Sequence, residues 1–204
     1  MQRKLASLIF CLMAGAAQAA GVSTDPKQAP TGAYQIDPRH TMVIFAIPHF
    51  GITDYYGRFE KVSGTLNFNP TAPEKSAVDV KIDMASANVM NSALVTELAG
   101  PNVFNTRDFP QATFKSTNVQ RTGPTTGKMT GDLTLRGVTK PVTFDVTFNG
   151  GLQSPMGGNG YDLGFHATTV IKRSDFGMTA MDWTNFVGNE VKLTIEAMFV
   201  QQKT

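Results

Sequence analysis

Long stretches of this chain alternate apolar and polar residues with a period of two. Ala77–Met84 places Val78, Val80, Ile82 and Met84 on one side and Asp79, Lys81 and Asp83 on the other. Met129–Arg136 sets Met129, Gly131, Leu133 and Leu135 against Thr130, Asp132, Thr134 and Arg136. Pro141–Asn149 sets Val142, Phe144, Val146 and Phe148 against Thr143, Asp145 and Thr147. Glu190–Val200 sets Val191, Leu193, Ile195, Ala197 and Phe199 against Lys192, Thr194, Glu196 and Met198. Successive side chains of a strand point to opposite faces, so each run reads as a strand with one buried face. Thr41–His49, Arg58–Asn69, Ala112–Arg121 and Tyr161–Lys172 carry the same pattern more weakly, which brings the expected strands to about eight.

The links are short. Arg136-Gly137-Val138-Thr139-Lys140 joins two alternating runs, and Gly150–Gly160 reads as a Gly-rich hairpin loop. That loop has no Gly-Lys-Ser/Thr or GxGxxG pattern opening a helix, so it is no phosphate cradle. The sole helical candidate is Met90–Ala99, stopped by Gly100-Pro101. The expected fold is therefore all-β: short antiparallel strands closing as a sandwich or a barrel. If eight strands close, the interior is either filled by side chains or holds one slender ligand.

The N-terminus reads as a secretory signal over residues 1–19. Arg3 and Lys4 precede the apolar stretch Leu5–Ala17, and Ala17-Gln18-Ala19 is a small-x-small cleavage site. The apolar run is shorter than the ~20 residues that a spanning helix needs, so the chain is not expected to span a membrane. Residues 20–33 read as a flexible N-terminus and 34–204 as one barrel domain, with the periplasm as the expected compartment. Without Arg3 and Lys4, 16 of the 18 Lys and Arg residues remain to balance 16 Asp and Glu. That balance leaves no basic excess for nucleic acid. The single cysteine, Cys11, leaves with the signal, which excludes disulfides, Cys-based zinc and iron–sulfur clusters from the mature chain.

Several fragments, taken in order, carry a family likeness. They are Ile36-Asp37-Pro38-Arg39-His40-Thr41 leading into Val43, Phe45, Ile47 and His49; Gly57-Arg58-Phe59 with Gly64; Leu98, Phe104 and Asp108-Phe109-Pro110 with Phe114 and Ser116; Gly131–Val142; and Ile171–Gly177 with Val187–Val191. In order and spacing the chain from Tyr34 to Val200 resembles the YceI-like family of periplasmic lipid-binding proteins. The resemblance implies an extended, lipocalin-like, eight-stranded antiparallel β-barrel with one or two short helices near its mouth. It also implies a long apolar chain in the lumen: a polyisoprenoid, an isoprenoid quinone or a similar lipid or amide. Taken alone, the apolar faces favour a filled core, as in an interaction or stress-response protein without cargo; the resemblance favours an open lumen.

On that reading the ligand would meet Val43, Phe45, Ile47, His49, Phe59, Leu66, Phe68, Val80, Ile82, Leu133, Leu135, Phe144, Val146, Phe165 and Leu193. Two segments are candidate lids: Met90–Phe104, with Leu94, Leu98 and Phe104 facing the opening, and Met178–Gly188, with Trp183 and Phe186. His49 shares the inward face of Val43, Phe45 and Ile47, where it could meet a head-group oxygen, whereas His40 falls on the opposite face. Arg173 and Asp175 read as a structural ion pair. Met42, Ile44, Ala46 and Pro48 form an outward apolar stripe, a candidate homodimer or partner contact. His40, His49 and His166 lack zinc-ligand spacing, and no GxSxG elbow is present, so neither a metal, a cofactor nor an enzymatic site is expected.

Overall fold

A computed structural model describes residues 21–155, 160–179 and 186–202. The strands are β1 (Gly32–Ile36), β2 (Met42–His49), β3 (Thr53–Phe59), β4 (Val62–Phe68), β5 (Ala77–Asp83), β6 (Ala87–Asn88), β7 (Gln111–Arg121), β8 (Thr126–Leu135), β9 (Val138–Gln153), β10 (Tyr161–Lys172) and β11 (Glu190–Gln201), with one α-helix, α1 (Ser92–Ala99). All pairings between them are antiparallel, and the sheet closes because β11 pairs with β1 as well as with β2. β1 and β2 are two pieces of one barrel strand, as are β3 with β4 and β5 with β6. The result is the eight-stranded antiparallel barrel that the alternation and the resemblance imply.

The three split strands depart from the uninterrupted runs read from sequence, such as Arg58–Asn69. Each break is hydrogen-bonded in a specific way. Between β1 and β2, the Asp37 N–H donates to the Met198 carbonyl (2.9 Å), while the Met198 N–H donates to Thr41 Oγ1 (3.1 Å). A hydroxyl thus stands in for a missing ladder partner. At the other breaks, Ser86 Oγ accepts from the N–H groups of Glu60 (3.2 Å) and Lys61 (3.0 Å) and donates to the Asp83 carbonyl (2.6 Å).

Asp37 is buried at the first break. Its Oδ1 accepts from the Arg39 N–H (2.9 Å), and His40 Nδ1 lies 2.8 Å from Oδ2. Burial alone would raise this carboxyl group's pKa, but the hydrogen bonds from His40 and Arg39 outweigh it and hold the pKa below the usual value. His40 is therefore spent on a structural contact outside the lumen.

Three other expectations change. The segment after residue 20 packs on the barrel: Ser23 bridges Gly151 through two backbone hydrogen bonds (2.8 and 2.9 Å), and Pro26 and Ala29 are buried. The fully buried Tyr34 hydroxyl donates to the Pro30 carbonyl (2.7 Å), and burial, then Tyr161, pushes its pKa up to about 12. Gly150 and Gly151 belong to β9 rather than to a loop. A Cβ on Gly151 would stand 2.6 Å from the Tyr161 ring and 3.0 Å from Leu163, so the missing side chain admits both neighbours.

The outward stripe on β2 is broken. Met42 is exposed and Ile44 and Pro48 are half-buried, but Ala46 is buried. Lys192 and Asp54, register partners of Ala46 and Pro48, form an ion pair (2.9 Å) across the outside of the strand. β2 is paired on both sides and is no free edge. Pro48 sits where regular pairing to β11 has ended and an isolated bridge takes over, with the Gly188 N–H donating to its carbonyl (2.8 Å), a position that tolerates its missing N–H.

Asp37→Asn should destabilise the barrel by roughly 1–3 kcal/mol at neutral pH by weakening a buried charge-assisted network. A lowered carboxylate pKa stabilises above the ordinary range and is lost as pH falls. Melting curves of the wild type should accordingly fall more steeply than those of Asp37→Asn between about pH 5 and pH 3.

Candidate ligand tunnel

The inner faces do not fill the barrel. Two cavities lie along its axis. The smaller, of about 230 Å³, is lined by Leu66, Phe68, Val80, Phe144, Val146 and Phe165, among others, and reaches the end of the barrel marked by Pro26, Pro70, Pro73 and Pro124. The larger, of about 520 Å³, is lined by Phe45, Ile47, His49, Phe59, Leu94, Leu98, Phe104 and Leu135 at the opposite end. Four residues line both: Val43, Ile82, Leu133 and Leu193, from β2, β5, β8 and β11. They stand between two adjoining chambers of the lumen and form a waist where the two meet. Of the expected ligand contacts, only Trp183 is not placed on these walls, because it lies outside the described residues. Val142 and Leu163 are buried but line neither chamber.

The waist lies at the level of the strand breaks: Val43 follows the Asp37–Thr41 gap, and Ile82 pairs with Val62 just beyond the break at Glu60–Lys61. Inward glycines shape the chambers. Gly57 is the register partner of Phe45, and a Cβ there would lie 2.1 Å from the Phe45 ring. Gly131 likewise leaves room for Phe114, whose ring then meets Phe144 edge-on at 5.1 Å. Each glycine lets an aromatic ring lie flat on the neighbouring strand instead of projecting into the lumen.

α1 forms a wall of the larger chamber. Asn91 caps its start by accepting from the Ala93 (3.0 Å) and Leu94 (3.3 Å) N–H groups. This places the helix start two residues beyond the expected Met90. None of its residues is fully buried, and Leu94 and Leu98, four apart, face the cavity. Phe104 folds back beneath it onto Phe59 (centroids 5.6 Å) and Phe45 (6.4 Å).

Three polar placements matter. His49 lines the larger chamber with its ring edge-on to Phe50 (4.4 Å), and no hydrogen bond of its ring occurs among the described residues. Arg173 does not pair with Asp175. Its guanidinium donates to the carbonyls of Gly188 (3.0 Å), Met178 and Val187 (3.4 Å), satisfying backbone groups where β11 pairing ends. Arg136 was not singled out from sequence. It sits at φ 51 in the β8–β9 turn and donates to the carbonyls of Gly177 (2.9 Å) and Pro101 (3.1 Å), tying both covering segments to the barrel end. An Arg-Gly pair between two alternating runs marks the turn but gives no hint of that reach.

Among the described residues no group of three or more His, Cys, Asp or Glu could hold a metal ion, and no helix is long and apolar enough to cross a membrane. The sequence profile of the YceI-like domain matches residues 34–199. The chain belongs to the YceI-like family. It is 36% identical over 178 residues to UPF0312 protein PputW619_0484 of Pseudomonas putida strain W619, covering 86% of this chain and 90% of that one. The crystal structure of Burkholderia cenocepacia BcnA superposes with a TM-score of 0.71 at 27% identity, over 80% of this chain and 98% of that chain. A polyisoprenoid binding domain from Saccharophagus degradans, implicated in plant cell wall breakdown, shares the fold at TM-score 0.60 and 14% identity, over 85% of this chain and all (100%) of that one.

Gly57→Ala should force the Phe45 ring off its seat and into the larger chamber. We expect a loss of about 1–3 kcal/mol in thermal unfolding, the usual range for overpacking a core.

Proposed function

We propose that this YceI-like barrel is a non-catalytic carrier for one long apolar chain of the isoprenoid or acyl type, threaded through the waist. The observation that carries the reading is that two apolar chambers adjoin along one lumen and share the ring Val43, Ile82, Leu133 and Leu193. The larger chamber falls in the size range of ligand sites, about 300–1,000 Å³. Its aliphatic and aromatic walls offer water few partners. Void space is also costly: at about 24 cal/mol per Å³, the smaller chamber alone represents on the order of 5 kcal/mol of packing left unmade.

An apolar chain supplies that packing. Each buried CH₂ contributes ~0.8 kcal/mol, so one isoprene unit gives on the order of 3–4 kcal/mol. A few units outweigh an association cost of roughly 4–15 kcal/mol. A slender branched or unbranched chain is the ligand shape that a ring of four side chains favours over a globular one. The head group belongs in the larger chamber, where His49, Asn91, Glu97 and Asn102 interrupt the apolar wall. The Saccharophagus degradans protein of the same fold is described as polyisoprenoid binding, in keeping with such a cargo. The signal-like residues 1–19 support export, and we place the carrier in the periplasm as a single chain. A homodimer through Met42–Pro48 is not needed for this role.

Native mass spectrometry of the purified protein, followed by organic extraction, should show an adduct that resolves into an apolar chain. Leu193→Trp should close the waist, abolish the adduct and leave the melting temperature unchanged or raised. An adduct retained in that variant, or extracts from the wild type that are repeatedly empty, would remove the proposal.

A further inference from the structure

The rim of the larger chamber carries a cluster of apolar side chains turned outward. The β2–β3 hairpin ends in His49-Phe50-Gly51-Ile52-Thr53, with Phe50 at φ 54, Gly51 at φ 69 and the Ile52 N–H donating to the His49 carbonyl (3.2 Å). Positive φ at both central positions is what a type I′ turn requires, and such positions favour Asn and Gly. A Phe in the left-handed region is disfavoured, and strain of this kind gathers at functional sites. Here the strain holds an aromatic ring in solvent: Phe50 is 54% exposed and Ile52 87% exposed. A second tip joins them. Phe186, 48% exposed, accepts from the Phe50 N–H at its carbonyl (2.6 Å), and the two rings lie 5.2 Å apart.

This patch is continuous with the tunnel. His49 and Val187, the chain neighbours of Phe50 and Phe186, line the larger chamber. The tip from His49 to Thr53 contains no Lys, Arg, Asp or Glu. The nearest acid along that strand, Asp54, is paired with Lys192 (2.9 Å). The three side chains expose on the order of 350 Å² together, taking about 200 Å² for a full aromatic side chain. A stable protein interface needs about 800 Å² from each partner. The patch is also a protruding tip rather than a groove. It is too small and too convex for a second copy, but suited to shallow insertion between lipid head groups, where binding follows buried apolar area.

We infer that Phe50, Ile52 and Phe186 dock the mouth of the larger chamber onto a lipid bilayer, so that an apolar chain passes between membrane and tunnel without crossing water. The direction of transfer rests on the carrier reading; the docking surface does not.

The test is flotation with vesicles of equal parts phosphatidylethanolamine and phosphatidylglycerol. Phe50→Asn introduces the residue that the turn prefers and should melt at or above the wild-type temperature. Its vesicle-bound fraction, and that of Ile52→Ser, should fall roughly tenfold or more given the apolar area lost. Uptake of parinaric acid, a fluorescent long-chain acid, should not change, because neither residue lines the tunnel. The inference is overturned if the wild type stays unbound or if Phe50→Asn floats as well as the wild type. It is equally overturned if sedimentation shows a dimer that Phe50→Asn dissolves, since the patch would then serve a second copy. Vesicle binding sensitive to Phe50→Asn, in a protein that takes up no parinaric acid, supports the docking surface and removes the carrier reading instead.

Discussion

Closure of the barrel through β11 is the constraint on which everything else rests. That strand is hydrogen-bonded on one side to β10 along its whole length and on the other to two shorter strands in turn, β2 and then β1. An open sheet of these strands would expose two long edges and one apolar face. Closing it hides both, but a closed barrel with bulky inward residues must bend its strands. The Asp37–Thr41 break absorbs that bend at β11, with Thr41 and Asp37 meeting both backbone groups of Met198. The Ser86 hydroxyl does the same for the next two strands. The Asp-Pro-Arg-His-Thr fragment that carries much of the family likeness is thus a joint in the barrel wall, and its Thr41 also lines the smaller chamber.

The same bends divide the lumen. Below them the paired aromatics Phe68, Phe148, Phe165 and Phe199 crowd one side of the smaller chamber, with ring centroids 5.4–6.3 Å apart. Above them α1 and the Phe104 turn replace strand as the wall, and the chamber widens. A wall built from a helix without a fully buried residue is held less tightly than a strand ladder, and regions with few buried contacts open first. Arg136 and Arg173 counter this through side-chain-to-carbonyl bonds, using charge where the ladder has run out.

Much of this was legible in the residues. Strict alternation, as in Val191, Leu193, Ile195, Ala197 and Phe199, identifies an inward face whatever the neighbours are. Almost every expected lumen residue does face inward. Arg173 shows what pattern cannot reach. The proximity of Asp175 in sequence suggested an ion pair, but its true partners are carbonyls up to fifteen residues away that exist only once β11 has docked. Ala46 shows the same from outside: it belongs to an apolar stripe in sequence, but it is buried, and its register partner Lys192 pairs with Asp54 of the other flanking strand. The carbonyl contacts of Arg136 and the pairing of Phe186, a lid candidate in sequence, with an exposed Phe50 have no local signature, because the reach of a turn residue depends on what stands above it.

The sequence by itself determined the strand class, the inward face of each strand and, through scattered fragments, the family, because period-two alternation is local and survives without knowledge of partners. Only the tertiary structure decided that the lumen is open, where its waist lies and which residues ring it. Those features depend on how far opposite walls stand apart, a distance set by strand breaks and by glycines such as Gly57 whose effect is felt on a neighbouring strand.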